Sequence, residues 1–148
     1  MGVTLDDDAR QYLAAFEDVT DVSGQDCLVT DAPTADADAD ERLIVVVSSG
    51  RMSEAIGPGG RTVRQYEERV GKPVRLVEDA DDPEAFVANA LSPAAVYNVT
   101  ISENDDTVAY VEVADEDRGV AIGSNGQTIE AARTLARRHF GIDDVQLI

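Results

Sequence analysis

The amino-acid sequence predicts an α+β protein built from two similar units in tandem, and three observations carry that prediction. The first is a pattern that occurs twice, Ile56-Gly57-Pro58-Gly59-Gly60-Arg61-Thr62-Val63 and Ile122-Gly123-Ser124-Asn125-Gly126-Gln127-Thr128-Ile129, at a spacing of 66 residues. The second is that each copy sits at the same place in the same run of periodicities: helix, strand, strand, short helix, glycine turn, helix, strand. The third is length, since 148 residues divide into two units of roughly 65 to 80, each with a thin core.

The elements of the first unit follow in order. Leu5, Ala9, Tyr12, Leu13 and Phe16 recur at helical spacing, which predicts a helix over 4–18 with Thr4 as its cap and Asp6 to Asp8 in the first turn, where the helix dipole favours acids. Cys27-Leu28-Val29-Thr30 and Arg42-Leu43-Ile44-Val45-Val46-Val47-Ser48 are β-rich runs, and the second is apolar almost throughout, as suits a central strand. Residues 31–41 between them are acidic and low in complexity, which predicts a mobile loop. A short helix over 53–56 meets the glycine turn, a longer one resumes over 61–70, Gly71 stops it, and Pro73 to Val77 form a closing strand.

The second unit repeats this order. Pro83 to Leu91 read as a helix with Phe86, Val87 and Leu91 inward. Val96 to Ile101 and Thr107 to Val113 alternate in polarity around Glu103-Asn104-Asp105-Asp106, the pattern of a half-buried hairpin. A short helix over about 117–122 leads into Gly123, a longer one runs from Gln127 to Phe140, and Val145 to Ile148 close the sheet. That longer helix outruns its counterpart by about one turn, which leaves its buried face unchanged.

Charge sets the second constraint. The chain carries 30 Asp plus Glu against 12 Lys plus Arg, a net charge of -18, and Lys72 is its single lysine. Such a chain repels phosphate in dilute buffer. In molar salt the Debye length falls to about 3 Å, and acids spread over the chain with almost no lysine then read as adaptation to a salt-filled cytoplasm. The distribution is uneven: residues 50–76 and 118–141 each carry +3, leaving -24 elsewhere. Basic charge therefore gathers in the windows that hold the two glycine turns.

Composition also bounds the function. No apolar run approaches the ~20 residues of a membrane span, and the N-terminal residues lack the basic and apolar regions of a secretory signal, so a cytoplasmic protein without membrane contact is expected. Cys27 is the single cysteine and His139 the single histidine, the latter near a helix end where it caps or packs. One of each cannot assemble a catalytic triad or a metal set, so no catalytic residue, metal site or cofactor is expected. Neither turn has the Gly-Lys-[Ser/Thr] of a nucleotide phosphate loop or the Gly-x-Gly-x-x-Gly of a dinucleotide turn, which argues against an enzyme.

A lone Gly-x-x-Gly says little, because a chain with 11 glycines produces about one by chance. Two copies that share Ile before and x-Thr-[Val/Ile] after, inside one element order, resemble the KH domain in its type II arrangement, present in tandem over about 4–78 and 82–148. Ala55-Ile56-Gly57, Ala121-Ile122-Gly123 and the Arg137-Arg138-His139-Phe140-Gly141-Ile142 ending are similar to the archaeal NusA-like transcription termination/antitermination family. The resemblance implies an α/β sandwich in which each domain, 1–80 and 81–148, is a three-stranded mixed sheet covered by helices. It implies a monomer that binds single-stranded RNA and modulates termination or antitermination with RNA polymerase.

Carried over by position, it places RNA backbone at Gly57, Pro58, Gly59 and Gly60 and at Gly123, Ser124, Asn125 and Gly126. Arg61, Arg64 and Arg118 are the expected phosphate contacts, Arg51 a weaker candidate, and Arg133, Arg137 and Arg138 are expected to settle a helix C-terminus. Ile56, Val63, Ile122 and Ile129 are expected in the core or in a base-binding groove, with the core favoured. KH turns often hold Lys or Arg between the glycines, whereas these hold Pro-Gly and Ser-Asn. Pro58 lacks an N–H, so the second turn is expected to be the better clamp and the first to be mainly structural. The alternative is a KH-fold protein-interaction or ribosome-associated module in which RNA binding is weak or lost.

Overall fold

A computed structural model describes residues 5–31 and 41–148, and in it each half of the chain forms a three-stranded sheet with helices packed on it. The chain divides into two compact units, Met1–Asp79 and Ala80–Ile148. In the first, α1 (Asp7–Thr20) starts three residues later than its apolar spacing predicts. Asp6, extended at φ -79 and ψ 174, caps it by accepting the Ala9 N–H at 2.8 Å, because the acidic run supplies a carboxylate where the helix needs an acceptor. The expected cap, Thr4, lies outside the described residues.

Strand β1 (Gly24–Asp31) pairs antiparallel with β2 (Glu41–Val47), which pairs in parallel with β3 (Val74–Glu78) to give the order β1-β2-β3. Asp31 and Glu41 pair with each other, so both ends of the stretch expected to be a loop are strand; residues 32–40 lie outside the described residues. Both faces of β2 are buried: Leu43, Val45 and Val47 join the helices in one core, and Ile44 and Val46 on the other face are equally inaccessible. This is why the strand reads as a continuous apolar run. Between β2 and β3 come α2 (Met52–Ile56) and α3 (Arg61–Val70), and Gly71 ends α3 in the left-handed conformation.

Tyr66 holds the helices of this unit together. It is fully buried on α3, its ring meets Phe16 of α1 edge-on at 5.1 Å, and its hydroxyl donates to the main-chain oxygen of Tyr12 at 2.8 Å. One side chain thus supplies apolar area, an aromatic contact and a satisfied polar tip. Glu67 beside it accepts the Val74 N–H at 2.8 Å and so fixes the start of β3 against the end of α3.

The second unit has the same order: α4 (Pro83–Ala90), β4 (Val96–Glu103), β5 (Thr107–Val113), α5 (Arg118–Ile122), α6 (Gln127–Phe140) and β6 (Asp144–Leu147), with strands in the order β4-β5-β6. Asp82 caps α4 by accepting the Ala85 N–H at 2.9 Å. In β5, Ala109, Val111 and Val113 are buried while Glu112 is exposed, which is the alternation a half-buried hairpin requires. The two hairpins share a detail that the sequence does not announce, a register shift near the start of the first strand, between Gly24 and Asp26 and between Val96 and Asn98. Phe86, Leu91, Leu135 and Ile142 fill the core, and the His139 and Phe140 rings pack on Phe86 at 5.0 and 5.2 Å.

Among the described residues no helix is long and apolar enough to cross a membrane, and no group of His, Cys, Asp and Glu could hold a metal ion. Cys27 is buried in β1, and desolvation, helped by the carboxylates of Asp26 and Asp6, pushes its thiol up to about 12. The thiolate is the reactive form. Alkylation at pH 8 is therefore expected to be slow in the folded chain and fast in denaturant, as measured by mass spectrometry. Replacing Tyr66 by Phe removes one buried hydrogen bond and is expected to cost about 1 kcal/mol in urea unfolding.

Candidate nucleic-acid interface

Each glycine turn converts the end of a five-residue helix into the start of a longer one. In the first, Gly57 leaves α2 at φ 76 and ψ 171 while its N–H still closes on Ser53 at 2.9 Å. Gly59 and Gly60 follow in the left-handed region at φ 61 and φ 79, the Gly60 N–H closes on Gly57 at 3.0 Å, and α3 begins. In the second, Gly123 leaves α5 at φ 80 and ψ 170, and Asn125 and Gly126 stand at φ 56 and φ 73. Corresponding angles agree within a few degrees although the middle residues are Pro-Gly in one and Ser-Asn in the other.

The threonine in the shared pattern explains its first glycine. A Cβ added to Gly57 would lie 2.6 Å from the Cβ of Thr62 and 2.9 Å from its amide nitrogen; at Gly123 both distances to Thr128 would be 2.8 Å. No side chain fits there, and the backbone angles alone exclude most residues. The first glycine and the threonine are thus one packing unit. The remaining turn positions are open: an added Cβ meets nothing within 4 Å at Gly59 or Gly126, and Asn125 already carries a side chain at positive φ.

The turns differ in what they offer an anion. In the first, the Gly57 N–H is used on Ser53 of α2, the Gly60 N–H is used on Gly57, and Pro58 has none, so Gly59 supplies the remaining donor. In the second, Gly123 and Gly126 are used in the same way, and among the described residues the N–H groups of both Ser124 and Asn125 have no partner.

The arginines sort differently from their positions in sequence. The Arg64 guanidinium lies over the first turn, with Nη1 3.3 Å from where a Cβ on Gly60 would stand. Among the described residues Arg61 and Arg64 make no hydrogen bond or ion pair and are exposed. Arg51 is clasped by Glu54 at 2.7 Å through both Nε and Nη2. Arg69 pairs with Asp18, and Lys72 pairs with Glu41 at 3.1 Å. Arg75 lies on β3, its pKa pushed down to about 10 by burial and by the charge of Arg42.

Arg118, an expected phosphate contact, stands at the far end of α5 from the turn and donates to the main-chain oxygen of Ile148 at 2.9 Å. Arg133 is held by Glu130, Asp144 and the Val145 carbonyl, and Arg137 donates to the Asp143 carbonyl at 3.1 Å. Arg133 thus ties α6 to β6, and Arg137 ties it to Asp143, the residue before that strand. The positive window around the second turn is therefore largely spent on structure.

Two expected core residues are not in the core. Ile56 and Ile122, each the last residue before its turn, are 38% and 41% exposed, and Val120 is exposed beside Ile122. The short helices α2 and α5 bury Ala55 and Ala121 instead, which leaves the neighbouring isoleucines facing out. Ile129 is buried and Val63 half-buried. Each turn thus has an apolar side chain on its approach.

The stability cost should follow the packing. Gly123→Ala combines a disallowed backbone with a collision and is expected to cost about 3 kcal/mol, whereas Gly126→Ala, in open space, should cost about 1 kcal/mol. Urea unfolding of the two variants checks this, and equal losses would contradict the pairing of Gly123 with Thr128.

Residues 83–147 match the NusA-like second KH domain. Over 99% of this chain and 99% of each relative, the sequence is 56% identical to the probable transcription termination protein NusA of Halobacterium salinarum and 57% identical to that of Halococcus morrhuae. The transcription termination/antitermination protein NusA of Mycobacterium bovis is 41% identical over 81 residues, which are 54% of this chain and 23% of that protein. The crystal structure of the protein APE1850 superimposes with a TM-score of 0.81 over 97% of this chain and all of that one, at 28% identity. With end-to-end likeness at this level and two units of matching topology, the chain belongs to the archaeal NusA family of transcription termination proteins.

Proposed function

We propose that this chain binds single-stranded RNA at its two glycine turns and acts on transcription termination or antitermination together with a transcribing RNA polymerase. Family membership supports the setting in transcription, because the relatives carry that description. The observation that carries the RNA reading is the geometry of Gly123 to Gly126. Two adjacent N–H groups, at Ser124 and Asn125, are unpartnered where glycines let another backbone approach closely. Such amides suit phosphate oxygens, and their dipoles need no counter-charge.

The composition agrees with this assignment. In molar salt, repulsion from the distant acids is screened within about 3 Å, while donors that touch the phosphate keep their effect. Ile56 and Ile122, exposed beside the turns, offer apolar surface to bases whose backbone the turns hold.

The test must separate binding from folding, and Gly123 is a poor probe because any side chain there strikes Thr128. Asn125→Asp keeps size and tolerance of positive φ while setting a carboxylate beside the phosphate path. In filter binding in molar KCl with a single-stranded oligoribonucleotide, Asn125→Asp combined with Gly59→Asp is expected to lower affinity at least tenfold with an unchanged circular dichroism spectrum. Unchanged affinity in the folded double variant would overturn the assignment and return the chain to protein docking.

A further inference from the structure

We infer that the two turns hold RNA by different chemistry: the first through the guanidinium charges of Arg61 and Arg64, the second through neutral hydrogen bonds from Ser124 and Asn125. This rests on the reading that both turns meet an RNA backbone. Because the two backbones have the same angles, the difference lies in what is attached to them.

Arg61 and Arg64 open α3 and have no partner among the described residues, and Arg64 lies over Gly60. The positions at the same offset in the second unit are Gln127 and Glu130, neither of them cationic. Glu130 is held by Arg133, and Arg118 reaches Ile148 instead of the turn. The backbone donors run the other way, with Gly59 alone in the first turn and Ser124 and Asn125 in the second. The first turn is rich in charge and poor in donors; the second is rich in donors and poor in charge.

Salt distinguishes these modes. A guanidinium that neutralises a phosphate releases a condensed counterion, which contributes about -0.7 to the slope of log affinity against log salt for a single strand. A neutral N–H donor releases none. The first turn should therefore weaken steeply as KCl rises, while the second keeps its grip. The pair spans a range of salt that neither mode would cover alone.

Reciprocal variants separate the modes. Arg61→Gln with Arg64→Gln is expected to flatten the salt slope by about 1 to 1.4 in fluorescence anisotropy titrations of a mixed-sequence single-stranded oligoribonucleotide across KCl concentrations. Ser124→Pro gives the second turn the residue that the first already accommodates, with Gly123 at a ψ that suits a following proline. It removes one donor and is expected to lower affinity about five- to tenfold at every KCl concentration with the slope unchanged. Equal slope changes in both variants would overturn the division of chemistry and leave RNA binding standing. No loss of affinity in either variant, both folded, would overturn the inference together with the RNA reading beneath it.

Discussion

The structure of each candidate site depends on one steric constraint, the contact between the first glycine of the turn and the threonine five residues later. Thr62 and Thr128 occupy the space that a Cβ on Gly57 or Gly123 would need, and the glycines adopt angles near φ 78 and ψ 170 that favour no other residue. From that contact the rest follows. The short helix ends without a conventional cap, the chain passes through two left-handed residues, and the next helix begins just after the unpartnered turn amides. The two turns reach the same geometry with different middle residues because the constraint lies outside the middle.

Around this fixed frame the chemistry is free to vary, and it does. The first unit anchors its long helix with Tyr66, whose hydroxyl is satisfied by α1, so the exposed face of α3 is left to carry Arg61 and Arg64. The second unit has Ala132 at that position, and its α6 is anchored by Leu135, by contacts of Arg133 with β6 and by the bond from Arg137 to Asp143. The electrostatic difference between the sites lies in Arg61 and Arg64, which stand where the second unit has Gln127 and Glu130.

The element order and the strand and helix positions were legible in the sequence, because periodicity reports which face is buried. The apolar run of β2 announced a strand buried on both faces, and Gly71 and Gly141 announced the ends of α3 and α6. The cap of α1 was misplaced because Thr4, Asp6, Asp7 and Asp8 could each serve and only geometry chooses Asp6. The exposure of Ile56 and Ile122 was hidden as well, since a five-residue helix is too short to show a stripe. Charge windows were the least reliable guide: beside the exposed Arg61 and Arg64 they counted Arg118, Arg133 and Arg137, whose guanidinium groups are directed to main-chain oxygens by contacts that no linear count contains. The role of Thr62 and Thr128 was visible only as a repeated letter until the backbone supplied its reason.

The central claim is that the open turn amides are what RNA touches. Amide chemical-shift mapping of the folded chain in high salt, with and without a single-stranded oligoribonucleotide, addresses it most directly. The largest perturbations are expected at the N–H groups of Gly59, Ser124 and Asn125, with smaller changes along α3. Perturbations that leave all three of these N–H groups unchanged would contradict it.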